Sequence, residues 1–299
     1  MSLLVVGSVA YDSIESPYGK KDEVLGGSAL YFSLAANYFS KVKLVAVVGE
    51  DFKKKDINFL NKKGIDIKGL EIAKGKTFRW KGKYSADLNH RKTIYTHLNV
   101  FETFKPKLPA SYKHSKYVFL ANIDPDLQLE VLNQIDKPLL TACDTMNLWI
   151  DNKRKSLLKV LKKIQIFIVN DSEARDLSGH SNLIKAGEGL LKMGPKMVII
   201  KKGEHGAIIF GKNFKFSSAA YPLEEPLDTT GSGDVFAGGF MGYIAKTKKL
   251  NQTNFKKAVI YGSILASYNV EAFSIEKLRM LSKSDIDKRY KEFKKLTSF

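Results

Sequence analysis

Short runs of consecutive apolar residues recur along the 299-residue chain, many of them separated by stretches with helical spacing. Several runs are continuous and do not alternate with polar residues, as expected for strands covered on both faces. The runs occupy residues 3–7, 43–49, 117–121, 138–144, 166–170, 197–203 and 207–210. Strands that alternate with helices form βαβ units, so the pattern predicts an α/β fold with a mostly parallel central sheet.

Two polar, extended segments interrupt this alternation, at residues 9–25 and 77–101. The first contains a Pro-Tyr-Gly turn. In the second, Phe78 and Trp80 fall on one face of a strand and basic residues fall on the other. Ribbons that project from an α/β body are suited to a lid or to a dimer contact. We therefore expect a single domain over residues 1–299 with the two ribbons inserted as a lid.

Composition limits the classes of partner. The formal net charge is +18, but the lysines are dispersed in short groups without interleaved aromatic residues, so we expect no nucleic-acid partner. No apolar run approaches the about 20 residues needed to span a bilayer, so we expect no membrane partner. The single cysteine, Cys143, cannot form an internal disulfide, and the N-terminus does not resemble a signal peptide. These features favour the cytoplasm.

The segment DTTGSGDVFAGGF, residues 228–240, indicates an anion site. Gly231, Ser232 and Gly233 form a small-residue turn before a helix, where backbone N–H groups lack intrahelical acceptors and the helix dipole is positive. Asp234 follows at once and could accept a proton from an attacking hydroxyl group. Taken alone, the segment is equally compatible with a capped helix after a tight turn.

The same segment resembles the C-terminal signature of the phosphofructokinase-B family of sugar kinases, which contains ribokinase and adenosine kinase. The family usually has Asp-Thr-x-Gly-Ala-Gly-Asp, and Ser232 stands here where alanine is common. An anion hole made of main-chain N–H groups should survive that change. The resemblance covers nearly the whole chain and implies a ribokinase-like three-layer α/β/α fold with a small projecting β lid.

The resemblance also implies an acceptor site near the N-terminus. VVGSVAYDSI resembles the family's first strand and places the substrate-binding aspartate at Asp12, whose carboxylate can accept hydroxyl hydrogen bonds. LGGSALYFSLAA resembles the glycine-pair motif, with Gly26 and Gly27 against the substrate. Tyr31 occupies the position of an asparagine that usually touches the substrate, so the family's acceptor cannot be transferred to this chain. Its ring either stacks on the substrate or packs beneath the lid.

Nucleotide and metal residues follow from later motifs. IVNDSEA resembles the Asn-x-x-Glu element, which implies that Asn170 and Glu173 bind Mg²⁺ through water beside the phosphates. IIKKGEHGAIIF resembles the turn before the nucleotide, with glycines at Gly203 and Gly206. Lys201, where uncharged residues are common, could reach a phosphate group.

Two further residues, Asp228 and Thr230, match positions that bind a monovalent cation in some relatives, which makes K⁺ an additional expected cofactor.

The implied activity is ATP-dependent phosphorylation of a hydroxymethyl group on a sugar or sugar-like molecule, with ATP and Mg²⁺ as cofactors. Three alternatives stay open: a nucleoside kinase, a sugar- or nucleotide-binding regulator without turnover, and a nucleic-acid binder that uses the basic surface. A dinucleotide dehydrogenase is disfavoured because GSVAYD, after the first strand, lacks G-x-G-x-x-G. The lid ribbons suggest a homodimer.

Overall fold

Two β-sheets organise the protein, which is represented by a computed structural model that describes residues 2–88 and 90–298. Strands are numbered along the chain. The nine strands of the central sheet are β1 (Ser2–Val6), β4 (Lys41–Gly49), β5 (Asp66–Ala73), β8 (Tyr117–Leu120), β9 (Leu140–Cys143), β10 (Ile166–Asn170), β11 (Met197–Lys201), β12 (Ala207–Gly211) and β13 (Phe214–Ser218). The four strands of the small sheet are β2 (Ala10–Ser16), β3 (Gly19–Gly26), β6 (Phe78–Tyr84) and β7 (Arg91–His97).

The central sheet has the strand order β13-β12-β11-β10-β9-β8-β1-β4-β5. All neighbours from β11 to β5 are parallel, and only β12 and β13 join in antiparallel fashion. The prediction of a mostly parallel sheet is confirmed, and each of the seven apolar runs overlaps a strand. The two outermost strands, β5 and β13, were not predicted, because edge strands bury too little surface to need an apolar run.

Helices cover both faces of the central sheet. They are α1 (Ser28–Ala36), α2 (Lys54–Lys62), α3 (Ala110–Lys113), α4 (Pro125–Gln134), α5 (Asn147–Asn152), α6 (Arg154–Leu161), α7 (Asp171–Ser178), α8 (Leu183–Lys192), α9 (Ser232–Thr247), α10 (Gln252–Asn269), α11 (Glu276–Met280) and α12 (Lys283–Thr297). Within the described residues, none of these helices combines the length and the apolarity that a bilayer crossing requires.

The core consists of two apolar clusters, one on each face of the sheet. In β1, Leu3 and Val5 belong to one cluster, with α1, α2, α9, α10 and α12. Leu4 and Val6 point the other way and belong to the second cluster, with helices α3 to α8. Because successive strand residues face opposite sides, continuous apolar runs are needed to fill both clusters. The three-layer α/β/α architecture is confirmed.

The small sheet has the order β3-β2-β6-β7, and its strands fall in the two segments predicted as ribbons, with β3 extending one residue beyond the first segment. One face carries ion pairs, among them Lys83 with Glu15 at 2.6 Å and Arg79 with Glu23 at 2.8 Å. The opposite face carries Ile14 and Tyr84, which pack on the body of the protein. The charged face is therefore the outer one. We refer to the small sheet and its connecting turns as the lid.

Helix α9 packs unusually close to its neighbours because of its glycines. A Cβ atom on Gly238 would lie 2.4 Å from the carbonyl oxygen of Phe32 in α1, and one on Gly239 would lie 3.0 Å from the Cα of Gly262 in α10. These approaches fix the N-terminal half of α9 against the body of the protein.

We expect Gly238→Ala to lower the free energy of unfolding by about 1–3 kcal/mol, because the added methyl group has to push α1 away from α9. The matched control is Gly189→Ala in α8, where the added Cβ would lie 3.4 Å from its nearest neighbour, the His180 ring. That control should gain about 0.5–1 kcal/mol from the better helix propensity of alanine. Urea unfolding followed by circular dichroism measures both, and equal stabilities for the two variants would contradict the close approach.

Candidate functional site

The parallel strands end side by side at one edge of the central sheet, and polar residues follow them. Asp144 comes directly after β9, Asn170 ends β10, and Lys201 ends β11. Asn170 and Lys201 are direct partners in the ladder. Ligands of open α/β sheets bind outside the carboxyl ends of the strands. The N-terminus of α9 reaches the same edge, since a Cβ atom on Gly233 would lie 2.6 Å from Lys201 Nζ.

The turn before α9 depends on Gly231. Its φ of +72° is left-handed, and a Cβ atom there would lie 2.4 Å from the ring of Tyr31. The helical ladder begins with the bond from Val235 N–H to Gly231 C=O, at 2.9 Å. The amides of Gly233 and Asp234 precede that ladder and belong to the positive end of the helix.

The geometry differs in one respect from the anion hole predicted at Gly231, Ser232 and Gly233. Ser232 N–H donates to the carbonyl of Thr229 at 3.2 Å, so this donor already serves the turn. The turn needs the bond because the chain reverses direction between the buried Asp228 and the helix. The anion hole at Gly231, Ser232 and Gly233 stays a prediction, and the amides of Gly233 and Asp234 both precede the first helical hydrogen bond.

Asp234 lies in the first turn of α9 at the floor of the site, partly exposed to solvent but surrounded by protein. Burial raises the pKa of its carboxyl group to about 7, against the opposing charges of Lys201 and Arg91. The carboxyl group of Asp144 lies close to it, and the two groups interact electrostatically. A carboxylate with a pKa near neutrality is suited to accept a proton at physiological pH.

Asp144 was missed by the sequence analysis, which considered only its neighbour Cys143. The side chain is 4% exposed, and its Oδ1 atom has no hydrogen-bond partner among the described residues. Burial and the charge of Asp234 raise the pKa of Asp144 well above its usual value. The signal was available, since a carboxylate directly after a buried strand is placed at the ligand edge of a parallel sheet.

Asn170 and Glu173 form the N-terminal capping box of α7. Glu173 N–H donates to Asn170 Oδ1 at 2.8 Å, and Asn170 N–H donates to Glu173 Oε2 at 2.9 Å. The second carboxylate oxygen, Oε1, is not used by the box. Burial raises the pKa of Glu173, while the charge of Lys201 opposes this effect. The pair therefore begins a helix and also directs a carboxylate toward Lys201.

Asp12 lies opposite these groups, on lid strand β2. It is 5% exposed, and the nearby backbone N–H of Gly27 favours its ionised form. Burial, followed by the charges of Asp228 and Asp234, raises its pKa to about 7. A Cβ atom on Gly26 would lie 1.8 Å from Asp12 Oδ2, so only glycine fits beside this carboxylate. The predicted group of Asp12, Gly26 and Gly27 is brought together.

Tyr31 lies in α1 and is 1% exposed, with its ring packed against Gly231. Of the two roles considered for it, packing is the one that this position provides. The ring supports the turn that carries the anion site. Its hydroxyl group has no hydrogen-bond partner of normal geometry among the described residues.

The lid is docked on the motif that begins at Asp228. Tyr84 Oη and Thr230 Oγ1 lie 2.9 Å apart, and Thr229 Oγ1 donates to the carbonyl of Leu88 at 3.1 Å. Asp228 is fully buried and uses both carboxylate oxygens to accept backbone N–H groups, from Thr230 and Ser274. The predicted cation ligands Asp228 and Thr230 thus hold the turn and the lid together.

Arg91, at the start of lid strand β7, was also missed. Its positive charge lowers the pKa of three carboxyl groups, those of Asp12, Glu173 and Asp234. The guanidinium therefore lies close to the site from the lid side, while Lys201 lies on the sheet side. Sequence alone gave no sign of this, because Arg91 belongs to a run of basic residues that is typical of ordinary surface.

Gly203 and Gly206 shape the turn between β11 and β12, with φ values of +55° and +85°. A Cβ atom on Gly206 would lie 2.0 Å from the carbonyl oxygen of Ser218. The hairpin itself therefore requires glycine at Gly206, and the left-handed backbone at Gly203 favours it, at the same edge of the sheet as Lys201.

The sequence of residues 2–277 matches the pfkB family of carbohydrate kinases. The chain belongs to this family. Its members are ATP-dependent phosphotransferases, so this pfkB protein is a kinase. A cytidine kinase from Thermococcus kodakarensis is 29% identical to it over 84% of this chain and 91% of that protein.

Solved structures show the same fold at low identity. The nucleoside kinase of Methanocaldococcus jannaschii superposes on the pfkB protein with a TM-score of 0.79 at 20% identity, over 97% of this chain and 98% of that one. A putative ribokinase II from E. coli, solved with ATP and Mg²⁺, gives a TM-score of 0.81 at 18% identity, over 97% and 99% of the two chains. The ribokinase-like fold expected from the sequence is confirmed.

We expect Asp12→Asn to raise the melting temperature of the pfkB protein at pH 8. The raised pKa means that the folded state holds a proton between about pH 4 and 7 that the unfolded state has released, so wild-type stability falls as pH rises through this window. The difference between a pKa of about 7 and the ordinary 3.8 sets an upper bound of about 4 kcal/mol on the effect. Asparagine keeps an acceptor for Gly27 N–H but carries no charge.

Thermal unfolding monitored at pH 4.5 and pH 8 measures this effect. The gain should be large at pH 8 and small at pH 4.5. The control Asp22→Asn, whose carboxylate is 51% exposed, should show no comparable dependence on pH. An Asp12→Asn variant that melts below wild type at pH 8 would contradict the raised pKa of Asp12.

Proposed function

We propose that the chain transfers the γ-phosphoryl group of ATP to a hydroxymethyl group of a sugar or a nucleoside. The observation that carries the proposal is the position of Asp234, in the first turn of α9 between the Lys201 ammonium and the acceptor-side carboxylate of Asp12. The nucleoside acceptor is the second candidate beside a free sugar. Similarity to a cytidine kinase and to two archaeal nucleoside kinases favours it.

Asp234 acts as the general base. Its carboxylate accepts the proton of the acceptor's hydroxyl group as the oxygen attacks the phosphoryl group. A pKa of about 7 keeps it largely unprotonated at slightly alkaline pH and still basic enough to take the proton. Asp144 lies beside it, and the proximity of the two carboxyl groups favours a protonated Asp144 next to an ionised Asp234.

The amides at the N-terminus of α9 and the Lys201 ammonium stabilise the charge on the transferred phosphoryl oxygens. Gly233 leaves room for the Lys201 ammonium group beside these amides. Phosphoryl transfer depends mainly on positioning and charge stabilisation, so these groups supply most of the catalysis. Gly203, Gly206 and Asn170 lie at the same edge and are assigned to the nucleotide side of the site.

The residues also fit Mg²⁺, which would screen the phosphate charges when bound. Oxygen ligands are available in Glu173 Oε1 and in Asp144 Oδ1, a buried atom without a partner among the described residues. Asn170 contributes by fixing Glu173 through the capping box. The role of this chain is to hold these oxygens rigidly at the strand ends, so that water-mediated contacts with the ion keep their geometry.

Asp12, with Gly26 and Gly27, holds the acceptor's hydroxyl groups. The lid, made by segments 9–25 and 77–101 of one domain, closes over the acceptor and excludes water from the phosphoryl group. Arg91 moves with the lid, so its charge reaches the carboxylates when the lid is docked.

Four further assignments extend the proposal. A monovalent cation such as K⁺ binds beside Asp228 and Thr230, and comparing rates in K⁺ and Na⁺ tests this. The lid forms a homodimer contact, and sedimentation of wild type against a lid-edge variant tests that.

The chain acts in the cytoplasm, and cell fractionation tests it. It uses no nucleic acid or membrane partner, and oligonucleotide retention or vesicle flotation at about 0.15 M salt would refute this.

Asp234→Asn should lower kcat by about 10²-fold or more while ATP still binds, because the amide cannot accept the proton but has nearly the same shape. Coupled detection of ADP measures the rate, and calorimetry measures ATP binding. The matched control is Asp151→Asn on the surface of α5, which should keep wild-type turnover. Near-normal turnover in Asp234→Asn would remove this residue from the mechanism.

The pH dependence follows from the same residue. The active form is the carboxylate, so kcat/KM should fall by about ten-fold or more from pH 7 to pH 5.5, as Asp234 and Asp12 become protonated near pH 7. Activity should be retained on the alkaline side of pH 7. A kcat/KM that stays constant down to pH 5 would show that neither carboxyl group has the raised pKa in the working enzyme.

A further inference from the structure

The inner face of the lid beside Asp12 carries a tryptophan with no role in phosphoryl transfer. Trp80 on β6 is the direct ladder partner of Asp12 on β2. Facing residues of adjacent strands lie about 4.8 Å apart and point to the same side of the sheet. The indole is therefore placed next to the carboxylate that holds the acceptor, on the side of the lid that faces the body.

The indole lies flat across the sheet. A Cβ atom on Gly82 would lie 2.1 Å from Trp80 Cη2, so the ring covers the glycine and replaces a side chain there. Trp80 Nε1 donates to Thr93 Oγ1 at 3.3 Å, which fixes the in-plane orientation of the ring. One face of the indole thus rests on the lid, and the other face is turned away from it.

The apolar contacts between the lid and the body do not cover the outward face of the Trp80 ring. Ile14, Tyr84 and Leu88 are nearly fully buried against Phe273, whereas Trp80 only borders this cluster and stays partly exposed. The group that does lie over the ring is the guanidinium of Arg91, with Cζ 5.3 Å from the ring centroid. The planar guanidinium shows that a flat group can approach this face of the indole.

The surroundings of Trp80 suit an aromatic base better than a hydroxyl group. Val24, the ladder partner of Asp12 on β3, is apolar, and Ile14 is the next inward residue on β2. A sugar hydroxyl against these side chains would lose water without gaining a partner, at a cost in binding. A nucleobase presents a π-face of the kind that stacks on tryptophan.

We propose that Trp80 is the platform for the base of a nucleoside acceptor and determines the preference of the enzyme for nucleosides over free sugars. The inference rests on the proposed kinase activity and names its acceptor class. Asp12 holds the ribose hydroxyl groups, the 5′-hydroxymethyl group points to Asp234, and the base, on the other side of the ribose ring oxygen, lies on the indole. When the base binds, the Arg91 guanidinium moves away from the indole ring and toward the carboxylates.

The two tryptophans of the chain make a direct binding test possible. Trp149→Phe leaves Trp80 as the only tryptophan, and Trp149 lies on α5, outside the lid. Stacking of a base should quench the fluorescence of this variant when cytidine, uridine, adenosine or inosine is added with an ATP analogue. Ribose and fructose should leave the fluorescence unchanged. Quenching by ribose to the same extent, or by none of the nucleosides, would overturn the proposal.

Kinetics provide the second test. Trp80→Ala should lower kcat/KM for the preferred nucleoside by about ten- to hundred-fold, the range expected for one base stacked on an aromatic side chain. The loss should fall mainly on KM, because the base is remote from the reacting hydroxyl group. Trp80→Phe should recover most of it, and kcat/KM for ribose should change less than about three-fold in both variants.

The outcomes separate this inference from the kinase proposal. If wild type phosphorylates ribose or fructose as well as any nucleoside, the kinase proposal stands and the base platform is wrong. Unchanged nucleoside kinetics in Trp80→Ala would likewise overturn the platform and leave the kinase proposal intact. If nucleosides quench Trp80 but no acceptor is phosphorylated, the platform stands and the kinase proposal fails.

Discussion

Several buried carboxyl groups lie close together near the C-terminal ends of the parallel strands. Their mutual repulsion is the electrostatic constraint on which the rest of the structure depends. Asp12, Asp144, Glu173 and Asp234 are held in one small region, and burial raises the pKa of each. Without nearby positive charge, the ionised carboxylates would repel one another and destabilise the fold. The compensation comes from Lys201, from Arg91 and from the positive end of α9. The fold brings these opposing charges to one place, and the site is less stable than an apolar core would be.

Close packing of α9 makes that arrangement possible. Its glycines let the helix lie against α1 and α10 at distances that no side chain would allow, and the ring of Tyr31 supports the turn at Gly231. The helix end is therefore fixed by contacts with the core and not by the polar groups of the site. A ligand that binds at this end meets amides whose positions are already set, which lowers the cost of ordering them.

The lid and the body of the protein each carry part of the candidate site. Asp12 and Trp80 belong to lid strands, whereas Asp234 belongs to the body, and the two parts meet where Tyr84 and Leu88 contact Thr229 and Thr230. These contacts lie within the motif that leads to Asp234. The contact between the lid and the body therefore runs through the same short segment that positions Asp234, and Arg91 lies near the carboxyl groups of the site. A regulator that binds a ligand without catalysis would need a ligand site, but it would not need the lid to contact the segment that leads to Asp234.

The α/β class, the mostly parallel sheet and the segments of the small sheet could be predicted from the amino-acid sequence, which also predicts an anion site at the start of a helix. These features follow from local properties: the period of apolar residues, the freedom of glycine and the polarity of helix ends. Motifs also indicated Asp12, Asn170, Glu173 and Asp234. The burial of Tyr31 beneath Gly231 and the use of Ser232 N–H by the turn emerged only in three dimensions, as did the placement of Asp144, Arg91 and Trp80 around the site. Whether a side chain faces a ligand, a neighbour or solvent depends on strands and helices that are distant along the chain. A local sequence pattern carries no information about these long-range contacts.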